Sequence, residues 1–499
     1  MSPSVLAIAV ALLLCSLYAV KNRRRSGRKL PPSPPWRLPL LGHLHHLIGR
    51  LPHRSLHDLH LRYGGRDNNT GLLLLQLGRR RTLVVSTAAA AADLFKHHDL
   101  AFSSRPHNVA AHKQTYGSRN AAALVSRARR AAEAGVPVPV RELVYGYTNA
   151  VVTRAAAGVA GATAERIRRL MAESETLGAA GFQADDVLPD AAAAVFRRVT
   201  GLERKIDGMV DDWDRFLSEI IAEHEQRAPP APGQAGGGDI VDVLLQLRRD
   251  QQGGAGKGFE LTDDAVKAIT KDMIAAATET TAVTLEWAMA ELARNPRVMA
   301  KLQDEIARVA GAGNAKQDAI AEAELSRMGY LRAVIKEVLR LHPPAPLLIP
   351  RESMAAAALQ GGRYEIPAGT TLLVNAWAIG RDPAAWDAPE EFRPERFLAG
   401  GAAGGGGSRP AVDFRGTDYQ LLPFGAGRRI CPGINFAQPV LELALASLLR
   451  HFDWELPAGV RPDDVDMVEA PGLSAPPRVP LVLVPKSTVP YSFSILYLI

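Results

Sequence analysis

Cysteine is nearly missing from this chain: its 499 residues include only Cys15 and Cys431. Cys15 lies in an apolar N-terminal run where neither a disulfide nor a metal cluster is expected, so the folded body is left with one thiol. That count excludes zinc sites built on several cysteines, iron–sulfur clusters and a disulfide framework. Buried filler, nucleophile and single metal ligand stay open as roles for Cys431. Internal repeats are also missing, as are helix-turn-helix, zinc-finger and RNA-binding signatures. The basic residues are spread along the chain, so nucleic acid is not an expected partner in spite of a net charge of +7. The charge points instead to an acidic partner or an anionic membrane surface.

Apolar residues make up 47% of the chain, enough for a sizeable core. From Val5 to Val20 (VLAIAVALLLCSLYAV) the sequence is apolar apart from a serine and a tyrosine, and Lys21, Arg23, Arg24 and Arg25 follow at once. As a helix this run reaches about 24 Å at ~1.5 Å per residue, slightly less than the ~27 Å hydrocarbon of a thin, endoplasmic-reticulum-like bilayer. A cleaved secretory signal would carry positive charge ahead of its apolar stretch, and nothing basic precedes this one. The expectation is a retained single-pass transmembrane anchor over 1–20 in the endoplasmic reticulum membrane, with the body facing the cytosol. The proline-dense LPPSPPWRLPLLG (Leu30 to Gly42) cannot be helical and reads as a stiff spacer, making 21–41 a basic, proline-rich hinge. The domain is then expected over 42–486, and the apolar tail at 487–499 has no assigned place. His43, His45, His46, His53, His57 and His60 could be imagined as a metal cluster, but a solvated amphipathic helix is the simpler expectation.

Helical periodicity dominates the body, as in Ala265 to Arg294, Met328 to Leu341 and Ile434 to Arg450. Strand-like runs are short: Leu72 to Leu77, Thr82 to Val85 and Leu481 to Val484. The expected class is mainly α with a small β portion, in a single large domain. Gly/Pro/Ala-rich stretches at Ala228 to Gly238 and Ala399 to Ser408 read as loops, since helical pattern resumes after each.

Around the lone body cysteine stands PFGAGRRICPG (Pro423 to Gly433), followed by an apolar helical segment. Glycines at 425, 427 and 433 allow turns forbidden to other residues, so amide N–H groups can converge on one sulfur and favour its thiolate. The positive end of the next helix, with Arg428 and Arg429 close by, is expected to lower the thiol pKa further. This environment suits an anion that grips a metal from one side, and it argues against mere filler.

Phe424, Gly427, Arg429, Cys431 and Gly433 match the spacing Phe-x-x-Gly-x-Arg-x-Cys-x-Gly, and here the chain resembles the cytochrome P450 family. The likeness runs from the anchor to about Lys486 and is nearest to the plant A-type microsomal group, whose members commonly oxidise small hydrophobic specialised metabolites. The resemblance implies the cytochrome P450 fold and haem b, with Cys431 as axial ligand to the haem iron, the thiolate that in this family favours O–O cleavage. Phe424 would pack beside the sulfur, Arg429 and Arg351 would pair with haem propionates, and Ala345 to Ile349 would touch substrate. Glu337 and Arg340 of KEVLR, alone an ordinary surface pair, would join Arg396 of FRPERF in a buried charge network. Glu279 and Thr280 lie within the apolar DMIAAATETTAVTLEWAM, where polar groups need a reason to be buried. Back-bonding of the threonines to helix carbonyls would be one such reason; the resemblance implies proton delivery to dioxygen. Gly472, Leu473 and Ser474 match the turn that closes the family's pocket. The implied partners are NADPH-cytochrome P450 reductase, relaying NADPH-derived electrons, a lipid bilayer and a small hydrophobic substrate.

The chain departs from this pattern in three places. Ala277 replaces a glycine of the family's distal helix. Pro439 falls inside the helix after Cys431, where proline costs ~3 kcal/mol. No tryptophan lies between Trp36 and Trp213, so the family's Trp-x-x-x-Arg helix is missing, with an apparent gap near 117–121. Two functions follow: a monooxygenase, or a catalytically silent relative disabled by the gap. A peroxide-using isomerase is disfavoured by the retained Thr280.

Overall fold

The computed structural model describes residues 30–487, except 39–40, 48, 50, 65–69, 79, 103–120, 160–161, 179–189, 228–237, 252–260, 311–319, 321 and 399–411. The anchor expected at residues 1–20, most of the segment after FSSRP and the apolar tail lie outside the described residues. Among those described, no helix is long and apolar enough to cross a membrane.

The protein is mainly helical with small sheets. The helices are α1 (Pro52–Tyr63), α2 (Ala88–His97), α3 (Ala121–Ala134), α4 (Val140–Ala157), α5 (Ala162–Gly178), α6 (Asp190–Val199) and α7 (Leu202–Gln226). They continue with α8 (Ile240–Asp250), α9 (Asp263–Arg294), α10 (Pro296–Ala310), α11 (Glu322–Leu325), α12 (Gly329–Leu341), α13 (Ala376–Ile379) and α14 (Ile434–His451). The long central α9 starts where the Thr262 side chain accepts from the Ala265 N–H, with Asp263 and Asp264 in the first turn favouring its positive end. Every residue from Thr281 to Ala293 is buried, including Glu286 and Glu291, which pair with Arg141 and His342, so the stretch shows no solvent-facing polar stripe.

Strands β1 (Leu72–Leu77), β2 (Arg80–Val85), β3 (Val138–Pro139), β4 (Arg351–Glu352), β5 (Ala357–Leu359), β6 (Tyr364–Ile366), β7 (Thr371–Val374), β8 (Phe452–Glu455) and β9 (Val482–Ser487) complete the fold. One sheet has the order β1-β2-β7-β4, a second β3-β9-β8, and β5 pairs with β6. The nearly continuous leucines of β1 are explained by burial on both faces. Leu72 and Leu74 pack with α2, whereas Leu73, Leu75 and Leu77 pack with α1. Strand β4 pairs antiparallel with β7, Arg351 opposite Leu372, and this register fixes where Arg351 emerges.

The largest core joins α3, α4, the second half of α9, α10, α12 and α14. A second core joins the end of α4 with α5, α7, α8 and the first half of α9. Each leucine- or phenylalanine-sized side chain buried in them stabilises the fold by ~1.5–3 kcal/mol relative to exposure.

The histidine-rich stretch departs from expectation. His43, His53 and His60 are buried, not solvated. The ring of His53 packs 5.4 Å from that of Trp377, and His53 lies 3.7 Å from Glu469. Burial acts to raise the Glu469 carboxyl, but His53 and Arg54 outweigh it and hold the pKa at about 2. These histidines form no metal cluster among the described residues, where the one group of possible ligands within reach of a common ion is His224, Asp239 and Asp242. Asp239 and Asp242 are occupied there as the capping box of α8.

Candidate functional site

The cysteine loop folds back on itself: the Cys431 N–H donates to the Phe424 carbonyl (2.9 Å), and the Ile430 N–H to that of Gly427 (3.0 Å). Between them Gly427–Arg429 makes one 3-10 turn, and α14 starts directly after Gly433. Gly425 and Gly427 have φ of +73° and +67°, the left-handed region that favours glycine. Gly433 does not need this freedom, since its φ is −84°; a Cβ there would meet Cys431 Sγ at an ordinary 3.7 Å. Phe424 is half-buried and packs on Phe414 with ring centroids 5.2 Å apart.

The thiol is not held as firmly toward its anion as expected. Burial pushes the Cys431 pKa up, and the bond from the Gly433 backbone only partly opposes this. Arg428 does not add a bare positive charge either, because its Nε lies 3.5 Å from Asp99 Oδ2. The protein environment alone therefore favours the neutral thiol.

Arg351 is buried at 3% exposure and donates from Nη2 to the Ala426 carbonyl at 2.8 Å, so β4 brings it against the cysteine loop. Leu348, with a positive φ of 52°, comes to the same place: a Cβ on Gly425 would lie 3.6 Å from its Cδ1. Arg429 is exposed at the end of the 3-10 turn.

Glu337, Arg340 and Arg396 meet as one buried network with exposures of 0%, 1% and 4%. Arg340 donates from Nε and Nη2 to the two Glu337 oxygens (2.7 and 2.8 Å), and Arg396 Nε donates to Glu337 Oε1 at 3.0 Å. One carboxylate thus balances two guanidiniums. The remaining donors go to backbone carbonyls: Arg340 to Gly380, Pro389 and Glu391, and Arg396 to Asp387, Ala388 and Glu391. Burial lowers the pKa of Arg396 in spite of Glu337.

On α9 the residues around the expected acid and alcohol are the accessible ones. Ala276 is exposed and Ala277, Glu279 and Thr280 half-buried, directly before the wholly buried stretch from Thr281. The Thr280 hydroxyl donates back to the Ala276 carbonyl, which leaves its oxygen lone pairs as an outward acceptor. The Ala277 methyl packs against the second core. Glu279 accepts a hydrogen bond of 3.0 Å from Ser474, joining two residues matched separately in the sequence. The Ser474 turn is pinned next door: the Ala475 carbonyl accepts from Trp287 Nε1 at 2.9 Å.

Sequence reasoning missed Asp99. It lies in the 3-10 turn Asp99–Phe102, and its carboxylate accepts from the Arg428 N–H at 3.0 and 3.3 Å. No local pattern marks a partner 329 positions away.

The cytochrome P450 family model matches residues 141–484. The chain is 38% identical to norfluorocurarine oxidase of Strychnos sp, covering 97% of this chain and 98% of that protein. It is 37% identical to salviol synthase of Salvia pomifera, covering 96% of each. The solved structure of a zebra fish cytochrome P450 with abiraterone superposes with a TM-score of 0.66 at 23% identity, over 87% of this chain and 99% of that one, so the fold is shared as well. With the family's cysteine loop at 424–433 and its model matched over most of the chain, this protein belongs to the cytochrome P450 family, and is an oxidoreductase whose cofactor is haem iron.

Proposed function

We propose that this chain is a haem-thiolate monooxygenase that inserts one atom of dioxygen into a small hydrophobic specialised metabolite of terpenoid, phenylpropanoid or indole/alkaloid type. The observation that carries this is a half-buried Cys431 on a self-closed loop, with the buried Arg351 bonded to Ala426 of that loop and the exposed Arg429 in the loop just before the sulfur. That donor set fits haem b: one sulfur for the iron, and two guanidiniums for two propionates. Bound there, haem iron supplies the redox chemistry of dioxygen activation. Cys431 would ligate the metal, whose positive charge favours the thiolate that the protein alone does not. Arg351 and Arg429 would hold the propionates, with Phe424 beside the sulfur. Glu279 and Thr280 would supply the protons that dioxygen activation consumes, the Thr280 hydroxyl oxygen being free to accept an outward hydrogen bond while its O–H bonds Ala276. The substrate class takes support from relatives named for single compounds, norfluorocurarine and salviol.

In this reading residues 1–20 anchor the protein in the endoplasmic reticulum membrane, 21–41 form the hinge, and 42–486 form the haem domain facing the cytosol. The basic balance suits an acidic NADPH-cytochrome P450 reductase. A second reading, a silent relative, takes support from the alignment with the Strychnos protein. It extends over 534 positions, more than the 499 residues of this chain, and so leaves positions without a counterpart here.

One experiment separates them. The full-length chain, purified in detergent, is reduced and exposed to carbon monoxide. The expected result is the red-shifted Soret band of thiolate-ligated haem, abolished in Cys431→Ser. A preparation without iron porphyrin would defeat the monooxygenase reading and favour the silent one.

A further inference from the structure

The cysteine loop carries more cation than its own residues balance, and one carboxylate from far away in the sequence meets it. Asp99 sits on the turn following α2, at 16% side-chain exposure. Its oxygens accept from the Arg428 backbone N–H (3.0 and 3.3 Å), lie 3.5 Å from Arg428 Nε and lie 3.6 Å from Arg351 Nη1. The fit at Gly427 is close: a Cβ there would stand 2.1 Å from Asp99 Oδ1. Arg351, which also bonds Ala426, is stacked on the other side over the Phe95 ring at 4.8 Å, and Phe95 belongs to the same helix α2 that leads into Asp99. The end of α2 and the turn after it therefore hold the 427–428 backbone of the loop by hydrogen bonds and Arg351 of β4 by charge and ring contact.

We propose that Asp99 is a positioning residue for the cysteine ligand: it holds the Gly427–Arg429 turn from which Cys431 is hung and aims Arg351 along the loop. It acts through these groups and does not touch the sulfur. The two contributions are separable, because Asn retains an oxygen that accepts from the Arg428 N–H but lacks the charge that draws Arg351 and the Arg428 side chain.

This inference rests on the haem-thiolate reading of Cys431, so the test has two parts. In the haem-loaded full chain, Asp99→Ala is expected to shift at least half of the carbon monoxide complex from the red-shifted thiolate band to the band of haem lacking thiolate. Asp99→Asn is expected to restore most of the thiolate fraction. A merely structural role would lower the yield of folded protein yet leave the thiolate fraction of the surviving haem unchanged, and that result would overturn the proposal. Should the wild-type chain carry no haem, the functional reading fails on its own, and the grip is read by amide hydrogen exchange over residues 424–433. Asp99→Ala should then speed exchange there about tenfold, with Asp99→Asn closer to wild type; unchanged exchange in Asp99→Ala would overturn it.

Discussion

Two clusters of charge serve the same cysteine-bearing half of the molecule, and they are built on opposite plans. Around Glu337 every group is buried and the network closes on itself, two guanidiniums sharing one carboxylate and six carbonyl contacts. Around Asp99 the charges grade from buried Arg351 to exposed Arg428 and Arg429, and the carboxylate meets its guanidiniums only at 3.5–3.6 Å. A closed network of buried ions resists change because removal of one member strands the others. An open one is held less tightly. The first is architecture; the second, on the proposed reading, is where the haem propionates would be held.

The largest effect should come from Glu337→Gln, which keeps the shape but leaves Arg340 and Arg396 without their anion. The expected loss is about 3–5 kcal/mol in urea or thermal unfolding. Asp99→Asn should cost under about 1 kcal/mol by the same measurement, since its ion pairs are long and Arg428 is exposed. Equal losses would break the distinction between the two clusters.

The cysteine loop sharpens it further. Gly427→Ala places a Cβ at φ +67° and drives it into Asp99, so a loss of at least about 1–2 kcal/mol is expected from the backbone alone, together with loss of haem. Gly433→Ala, at φ −84° with only an ordinary contact to the sulfur, should stay within about 0.5 kcal/mol of wild type. Haem content and unfolding midpoint of the pair decide it; parity between the two variants would show that Asp99 does not constrain the turn. Pro439, exposed inside α14, leaves the Asn435 carbonyl without its helical donor. Pro439→Ala should raise stability by about 1–3 kcal/mol, and no gain would mean that α14 has already absorbed the cost.

Much of the closed cluster was legible in the sequence through the family motif, whose parts lie on periodic or punctuated segments; spacing alone gave only an ordinary surface pair. Glu337 and Arg340 share a helix face at i, i+3, and Arg396 follows a proline that starts its own 3-10 turn. The long helices were legible from their periodicity. The periodicity read over Ala265 to Arg294 falls within α9, that over Met328 to Leu341 matches α12 to one residue, and the strand read at Leu72–Leu77 has those same bounds. The open cluster was half hidden. Arg351 was placed by its family motif, but Asp99 meets the loop through tertiary contact alone, as Ser474 meets Glu279 across 195 positions. Histidines also misled: alternation along α1 signals an amphipathic helix but not that the polar face at His53 and His60 is covered by other elements. The direction of the Cys431 pKa was misread because pattern counts the amides near a sulfur but not the water that burial removes.

The buried pair of His224 and Asp239 offers the mildest test, a closed contact remote in sequence from the cysteine loop. His224 Nδ1 faces the Ile220 carbonyl at 2.7 Å and Nε2 faces Asp239 Oδ2 at 2.8 Å, so both ring nitrogens meet acceptors and the imidazolium suits them best. Burial and Arg227 act to lower the pKa, but the Asp239 carboxylate and the Ile220 carbonyl prevail and raise it above the ordinary 6.5. A histidine raised on folding binds its proton more tightly in the native state. Its stabilisation is complete below about pH 6.5, the unfolded value, and is lost as pH climbs through the higher folded value. Wild-type protein should therefore lose stability across that window relative to His224→Gln, which does not titrate. Parallel pH–stability curves for the two proteins would mean that this pair, though closed, holds no charge.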